Sequence, residues 1–89
     1  MTFLVFMLKY GTDKEEIMNL ELKNAAQLAE FVIRERKLQH VSQTRLSQLA
    51  NVGVRFVRDL EDGKPSLHLE KTLNVLETLG VKVELSTLD

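Results

Sequence analysis

The 89-residue chain is 44% hydrophobic and 28% charged, values that fit one globular domain with a small core and exclude disordered, collagen-like and rod-like chains. It has no cysteine, which removes disulfide frameworks and thiolate metal or redox centres; two histidines, His40 and His68, are too few for a zinc site without carboxylate help, and no HExxH spacing occurs. The net charge of −1 speaks against a polyanionic partner if it is spread evenly along the chain.

In chain order, the apolar run from Thr2 to Tyr10 ends at Gly11-Thr12-Asp13 and predicts a short strand followed by a turn. No basic residue precedes this run and no small-residue cleavage site follows it. It is also far short of the roughly 20 residues that span a bilayer. A signal peptide and a membrane span are therefore not expected, and the chain reads as cytoplasmic. Lys14 to Leu22 is mixed and reads as a loop or a helical turn, with Met18 as an alternative start that would make the strand dispensable.

Asn24 is a good N-cap. Ala25, Leu28, Ala29 and Val32 then fall at the spacing of one helical face, giving a first helix to about Lys37. Phe31 and Ile33 lie off that stripe and need a second surface to meet. Ser42 caps a short second helix, about Gln43 to Ala50, in which Leu46, Leu49 and Ala50 share a face. Asn51-Val52-Gly53 forms a tight turn, because asparagine tolerates the left-handed conformation. A third helix, about Val54 to Asp62, buries Val57 and Leu60 and stops at Gly63-Lys64-Pro65.

A fourth helix is marked by Leu69, Thr72, Leu73, Leu76 and Leu79 and ends at Gly80. Val81, Val83 and Leu85 then alternate with Lys82, Glu84 and Ser86, the period of a half-buried strand. A strand needs a partner, either the amino-terminal strand or its own copy in a second subunit. The expected organisation is a strand and connector over residues 1–23, a helical domain over 24–80 and a terminal strand over 81–89.

The charge is not spread evenly. Up to Lys23 there are three lysines against four carboxylates, and after Pro65 two lysines against four. Between them lie seven cations against five carboxylates, and all five arginines of the chain are among those seven. Arginine is the side chain suited to forked recognition of phosphates and guanine edges. On charge alone, solvated helix faces remain an equal alternative.

Two short helices joined by a three-residue turn have the outline of a helix-turn-helix. The pattern Ser42-Gln43-x-x-Leu46-Ser47-x-Leu49-Ala50-Asn51-Val52-Gly53-x-x-Phe56-Val57-x-x-Leu60-Glu61-x-Gly63-Lys64-Pro65 resembles the helix-turn-helix of the Xre or phage-repressor family. Phe56-Val57 with Gly63-Lys64-Pro65, then Leu73-x-Val75-Leu76-x-x-Leu79-Gly80 and a terminal strand, is similar to HipB-type antitoxins and related repressors. The likeness spans Leu28 to Leu85. It implies a mainly α, lambda-repressor-like fold of four to five helices with short amino- and carboxy-terminal β-strands.

The resemblance also implies roles. Gln43 occupies the position that touches a phosphate and braces the recognition helix; an amide near a helix N-terminus suits both tasks. Arg36 and Glu61 occupy positions that join the first and third helices by a salt bridge, a structural role. Val54, Arg55 and Arg58 lie off the Val57-Leu60 stripe, in the part of the third helix that enters the major groove in such proteins. Arg55 would fork onto guanine, Val54 touch a thymine methyl, and Arg58 take a base or a phosphate. Phosphate candidates are Lys64, Arg45, Arg34 and Lys37. Phe56 is expected to pack between helices, and His40 and His68 to serve as loop or cap residues.

Asn51 and His40 stand where the family usually has glycine. Ile33 stands where many relatives carry arginine.

The expected function is transcriptional repression at a palindromic double-stranded DNA operator by a two-fold homodimer, with Val81, Val83 and Leu85 in the dimerising strand. The HipB resemblance, taken in full, further implies an antitoxin that binds and restrains a HipA-type kinase toxin while both repress their own operon. The alternatives are a stand-alone Xre-type regulator and a protein-interaction module that has lost DNA. No carboxylate pair, activated nucleophile or glycine-rich phosphate loop occurs, so neither catalysis nor any cofactor or metal is expected.

Overall fold

A computed structural model describes residues 2–6 and 18–88. Its elements are β1 (Thr2–Phe6), β2 (Met18–Glu21), α1 (Ala25–Leu38), α2 (Gln43–Ala50), α3 (Val54–Glu61), α4 (Leu69–Thr78) and β3 (Val81–Leu85). The fold is mainly helical, as expected, with short strands drawn from both ends.

The helices begin and end where local chemistry dictates. Asn24 Oδ1 accepts the Gln27 amide at 2.8 Å while Gln27 Oε1 accepts the Lys23 amide at 2.7 Å, a reciprocal pair that fixes the start of α1. Ser42 Oγ accepts the Arg45 amide at 3.0 Å, and His68 Nδ1 accepts the Lys71 amide at 3.4 Å. The first three helices end alike. His40 (φ 57°), Asn51 (φ 59°) and Gly63 (φ 78°) turn left-handed, and the next amide, of Val41, Val52 or Lys64, donates back to Arg36, Ser47 or Asp59 at 3.0–3.2 Å. This is the Schellman closure, which satisfies end carbonyls that would otherwise be orphaned.

The core joins Leu28, Phe31 and Val32 of α1, Leu46 and Ala50 of α2, Val57 and Leu60 of α3, Val75 and Leu76 of α4, and Leu79 and Val81. Burying each such leucine, valine or phenylalanine contributes about 1.5–3 kcal/mol. Phe31 finds its second surface and is buried, whereas Ile33 is only half-buried. Two expectations need correction. Leu49 is half exposed because the buried stripe of α2 runs through Leu46, Ser47 and Ala50; the Ser47 hydroxyl is satisfied by donating to the Thr44 carbonyl at 2.7 Å. In α4 the buried stripe runs through Thr72, Val75 and Leu76, so Leu69 and Leu73 form a second, exposed stripe.

The three strands form one antiparallel sheet in the order β2-β1-β3. Phe3 to Phe6 pair with Glu21 to Met18, and Thr2 to Phe6 pair with Leu85 to Val81. The reading of Lys14 to Leu22 as a loop or helical turn is thus wrong for Met18–Glu21. That segment has little strand propensity of its own and takes its state from β1 beside it. Residues 7–17, with the rest of the expected first strand and its turn, lie outside the described residues. The terminal strand finds its partner in its own chain.

Candidate nucleic-acid interface

The α2–turn–α3 unit is held from below by a buried polar network. Glu61, near the end of α3, receives Arg36 from α1 through Nε at 2.6 Å and Nη2 at 2.9 Å, and Gln43 from the first turn of α2 through Nε2 at 2.9 Å. The remaining Arg36 nitrogen, Nη1, donates to the Val41 carbonyl at 3.0 Å, beside the Ser42 cap. Arg36 and Glu61 side chains are only 13% and 4% exposed. A forked arginine–carboxylate pair constrains both angle and distance, so α1, the start of α2 and the end of α3 are locked together. The family resemblance implied the Arg36–Glu61 pair and a bracing role for Gln43, and Arg36 and Gln43 both donate to the Glu61 carboxylate.

The outward side of α3 carries Arg55 and Arg58, both exposed, with Val54 half-buried at the first turn. Gly53 opens the helix with nothing within 4 Å of where a Cβ would stand, so the chain comes to this end without bulk. Phe56 packs against the core and lies under the Lys71 ammonium, 6.0 Å from the ring centroid, which places it between helices. Lys64 and Arg45 are exposed at the end of α3 and on α2. Arg34 is engaged on its own helix, stacked over Phe31 at 5.8 Å and 3.7 Å from Glu35, while Lys37 is exposed in the last turn of α1.

A relative from Sinorhizobium fredii (strain NBRC 101917 / NGR234), the uncharacterized HTH-type transcriptional regulator y4mF, is 40% identical over 68 residues, or 76% of this chain and 90% of its own. The chain belongs to the HTH-type transcriptional regulators. No family model matches the sequence. No helix among the described residues is long and apolar enough to cross a membrane.

Two residues of this HTH regulator escaped the sequence reading. Glu35 is fully buried and neither oxygen has a hydrogen-bond partner, Arg34 Nη2 standing 3.7 Å from Oε2; burial pushes its carboxyl above the ordinary range while the Arg34 charge acts against that. Its spacing was a signal, since it falls three residues after Val32 and seven after Leu28 on the buried stripe. Asp59 was counted only as a charge. It lies 4.0 Å from Arg55 Nε and 3.5 Å from Lys64 Nζ, and the i, i+4 interval from Arg55 announces that contact. Among the described residues no group of three or more His, Cys, Asp or Glu is placed to hold a metal.

Proposed function

We propose that this HTH regulator is a sequence-specific repressor that binds a palindromic operator as a two-fold homodimer. The observation that carries the proposal is the pair Arg55 and Arg58, uncovered on a helix that Arg36, Gln43 and Glu61 hold rigidly from behind. An interaction module has no use for that combination. Val54 and Arg55 read base edges, Arg58 takes a base or a phosphate, and Gln43, Arg45, Lys64, Lys37 and Arg34 are assigned to phosphates. One such helix reads few base pairs, so useful specificity requires two half-sites.

The outer edge of β3 is the proposed dimer contact. Antiparallel pairing of β3 with its own copy about Val83 sets Lys82 opposite the partner subunit's Glu84 and the reverse, and opposite charges facing across strands are favourable. Leu85, 78% exposed, and the α4 residues Leu69 and Leu73 line an apolar groove of about 480 Å³ with Leu22, Leu28, Leu76 and Val83, which such a dimer would cover. Val81 is 6% exposed and belongs to its own core, so it serves the strand rather than the contact. Lys82→Glu should give monomers, and Lys82→Glu with Glu84→Lys should restore the dimer in sedimentation. An unchanged profile for the single variant sinks this interface. Deleting 81–89 is a poorer test because it also removes Val81 from the core.

The HipB-like pattern extends the proposal to an antitoxin that restrains a HipA-type kinase in the cytoplasm and, bound at its operator on the nucleoid, represses the shared operon. The decisive experiment is selection from random duplexes. Enrichment of a palindrome whose halves lie about one helical turn apart supports the repressor. Absence of enrichment, with binding insensitive to salt, would favour the interaction module. Co-purification with a kinase several times its size separates the antitoxin from a stand-alone regulator.

A further inference from the structure

The outward stripe of α3 and its C-cap is formed by Arg55, Arg58, Asp59 and Asp62, two cations and two anions. A helix meant to approach a polyanion thus carries no positive excess of its own. The two carboxylates are placed differently. Asp62 is exposed and has no ion pair among the described residues, whereas Asp59 is 26% exposed and lies between Arg55 Nε at 4.0 Å and Lys64 Nζ at 3.5 Å. The Asp59 carbonyl also accepts the Lys64 amide at 3.2 Å, so the stem of Lys64 is anchored to the same residue.

We propose that Asp59 determines specificity as a positioning residue, by holding Arg55 and Lys64 on the reading face between base contact and phosphate contact. The inference rests on the DNA-binding reading above. Its chemistry lies in which guanidinium atom stands nearest the carboxylate. The nearest approach of the carboxylate to Arg55 is to Nε, at 4.0 Å, so its pull falls on the inner nitrogen and the two terminal nitrogens, the edge that forks onto guanine O6 and N7, stay available. A side chain so biased favours a base over the nearest phosphate. On the wrong sequence, Asp59 faces phosphates, repels them and keeps two cations partly neutralised, so fewer counterions are released. On the right sequence, a bidentate guanine contact, which discriminates by about 5- to 150-fold, outcompetes a solvent-exposed ion pair, whose effect is at most about fivefold.

The test compares wild type, Asp59→Asn and Asp62→Asn on the selected operator and on a scrambled duplex at several salt concentrations. Asp59→Asn should bind scrambled DNA about 3- to 10-fold more tightly, with a salt slope steeper by about one to two phosphate contacts. Its operator affinity should change less than about threefold, so the operator-to-scrambled ratio falls. Asp62→Asn makes the same change of charge on the same stripe without touching Arg55. It should raise both affinities alike and leave the ratio within about twofold. An unchanged ratio for Asp59→Asn, or an equal fall for Asp62→Asn, overturns the proposal. A melting temperature more than about 10 °C below wild type assigns Asp59 to the fold and also overturns it. If wild type prefers no duplex at all, the DNA reading itself fails, a result distinguishable from selective wild type with an unaltered variant.

Discussion

Glu35 sits on the buried stripe of α1 with no exposed surface, and neither of its oxygens has a hydrogen-bond partner. Leaving a buried polar or charged group unsatisfied costs about 1–3 kcal/mol. Arg34 offers its Nη2 at 3.7 Å from Oε2, but that arginine is half exposed, and such pairs return less than about 1 kcal/mol. The balance is a native carboxylate that costs about 1–2 kcal/mol at neutral pH. Glu35→Met fills similar volume and removes both the charge and the unpaired oxygens; Glu35→Gln removes the charge alone. At about 4–8 °C per kcal/mol for a domain of this size, Glu35→Met should raise the melting temperature by about 4–16 °C at pH 7, with Glu35→Gln between it and wild type. Because burial raises the folded-state pKa above the ordinary 4.5, the native protein holds this proton more tightly than the unfolded chain. Its stabilising effect is complete below about pH 4.5 and is lost as pH rises through the raised value. Circular-dichroism melts across pH 4.5–8 at fixed protein concentration should show the variants' advantage largest at neutral pH and shrinking toward pH 4.5. A lower melting temperature for both variants at pH 7, or an advantage independent of pH, would refute the reasoning.

Three further outcomes are expected. Arg36→Met strands Glu61 in a site where its side chain is 4% exposed and should cost about 3–5 kcal/mol in chemical denaturation; a loss below 1 kcal/mol would mean that the network does not brace the helices. Ser42→Ala removes the acceptor of the Arg45 amide and should cost about 1 kcal/mol, read as a lower denaturation midpoint at unchanged slope. Arg55→Ala should lose about 1–3 kcal/mol on operator DNA and less on random DNA in fluorescence titrations, and equal losses would reduce Arg55 to a phosphate contact.

Helix positions were legible because their determinants are local. Asn24, Ser42, Asn51 and Gly63 each satisfy or release backbone groups within four residues, and such chemistry is written in the sequence. The Arg36–Glu61 pair spans 25 residues and was reached through resemblance, which carries long-range information that periodicity lacks. What failed was decided by tertiary surroundings. Leu49, Leu69 and Leu73 have the same side chain as buried Leu46 and Leu76, and only the direction in which each helix faces its neighbours separates them. Met18–Glu21 became a strand because β1 lies alongside. Glu35 was passed over since a carboxylate on a helix is ordinarily taken as solvated, although its position on the stripe argued otherwise.

The order β2-β1-β3 has a consequence for how the chain is made. The middle strand β1 precedes both of its neighbours in the sequence, and of these β2 follows it closely whereas β3 comes only after all four helices. The helical unit over residues 25–79 closes mainly short loops and can form while the chain is still being extended. The sheet must wait for Val81–Leu85, a closure of some 80 residues that slows folding relative to the helices. Until then β1, even when paired with β2, keeps one edge unsatisfied, which makes it the strand most exposed to pairing with the wrong chain. A chain beginning at Met18 would avoid that interval, but it would retain β2 and β3 with the strand that joins them removed.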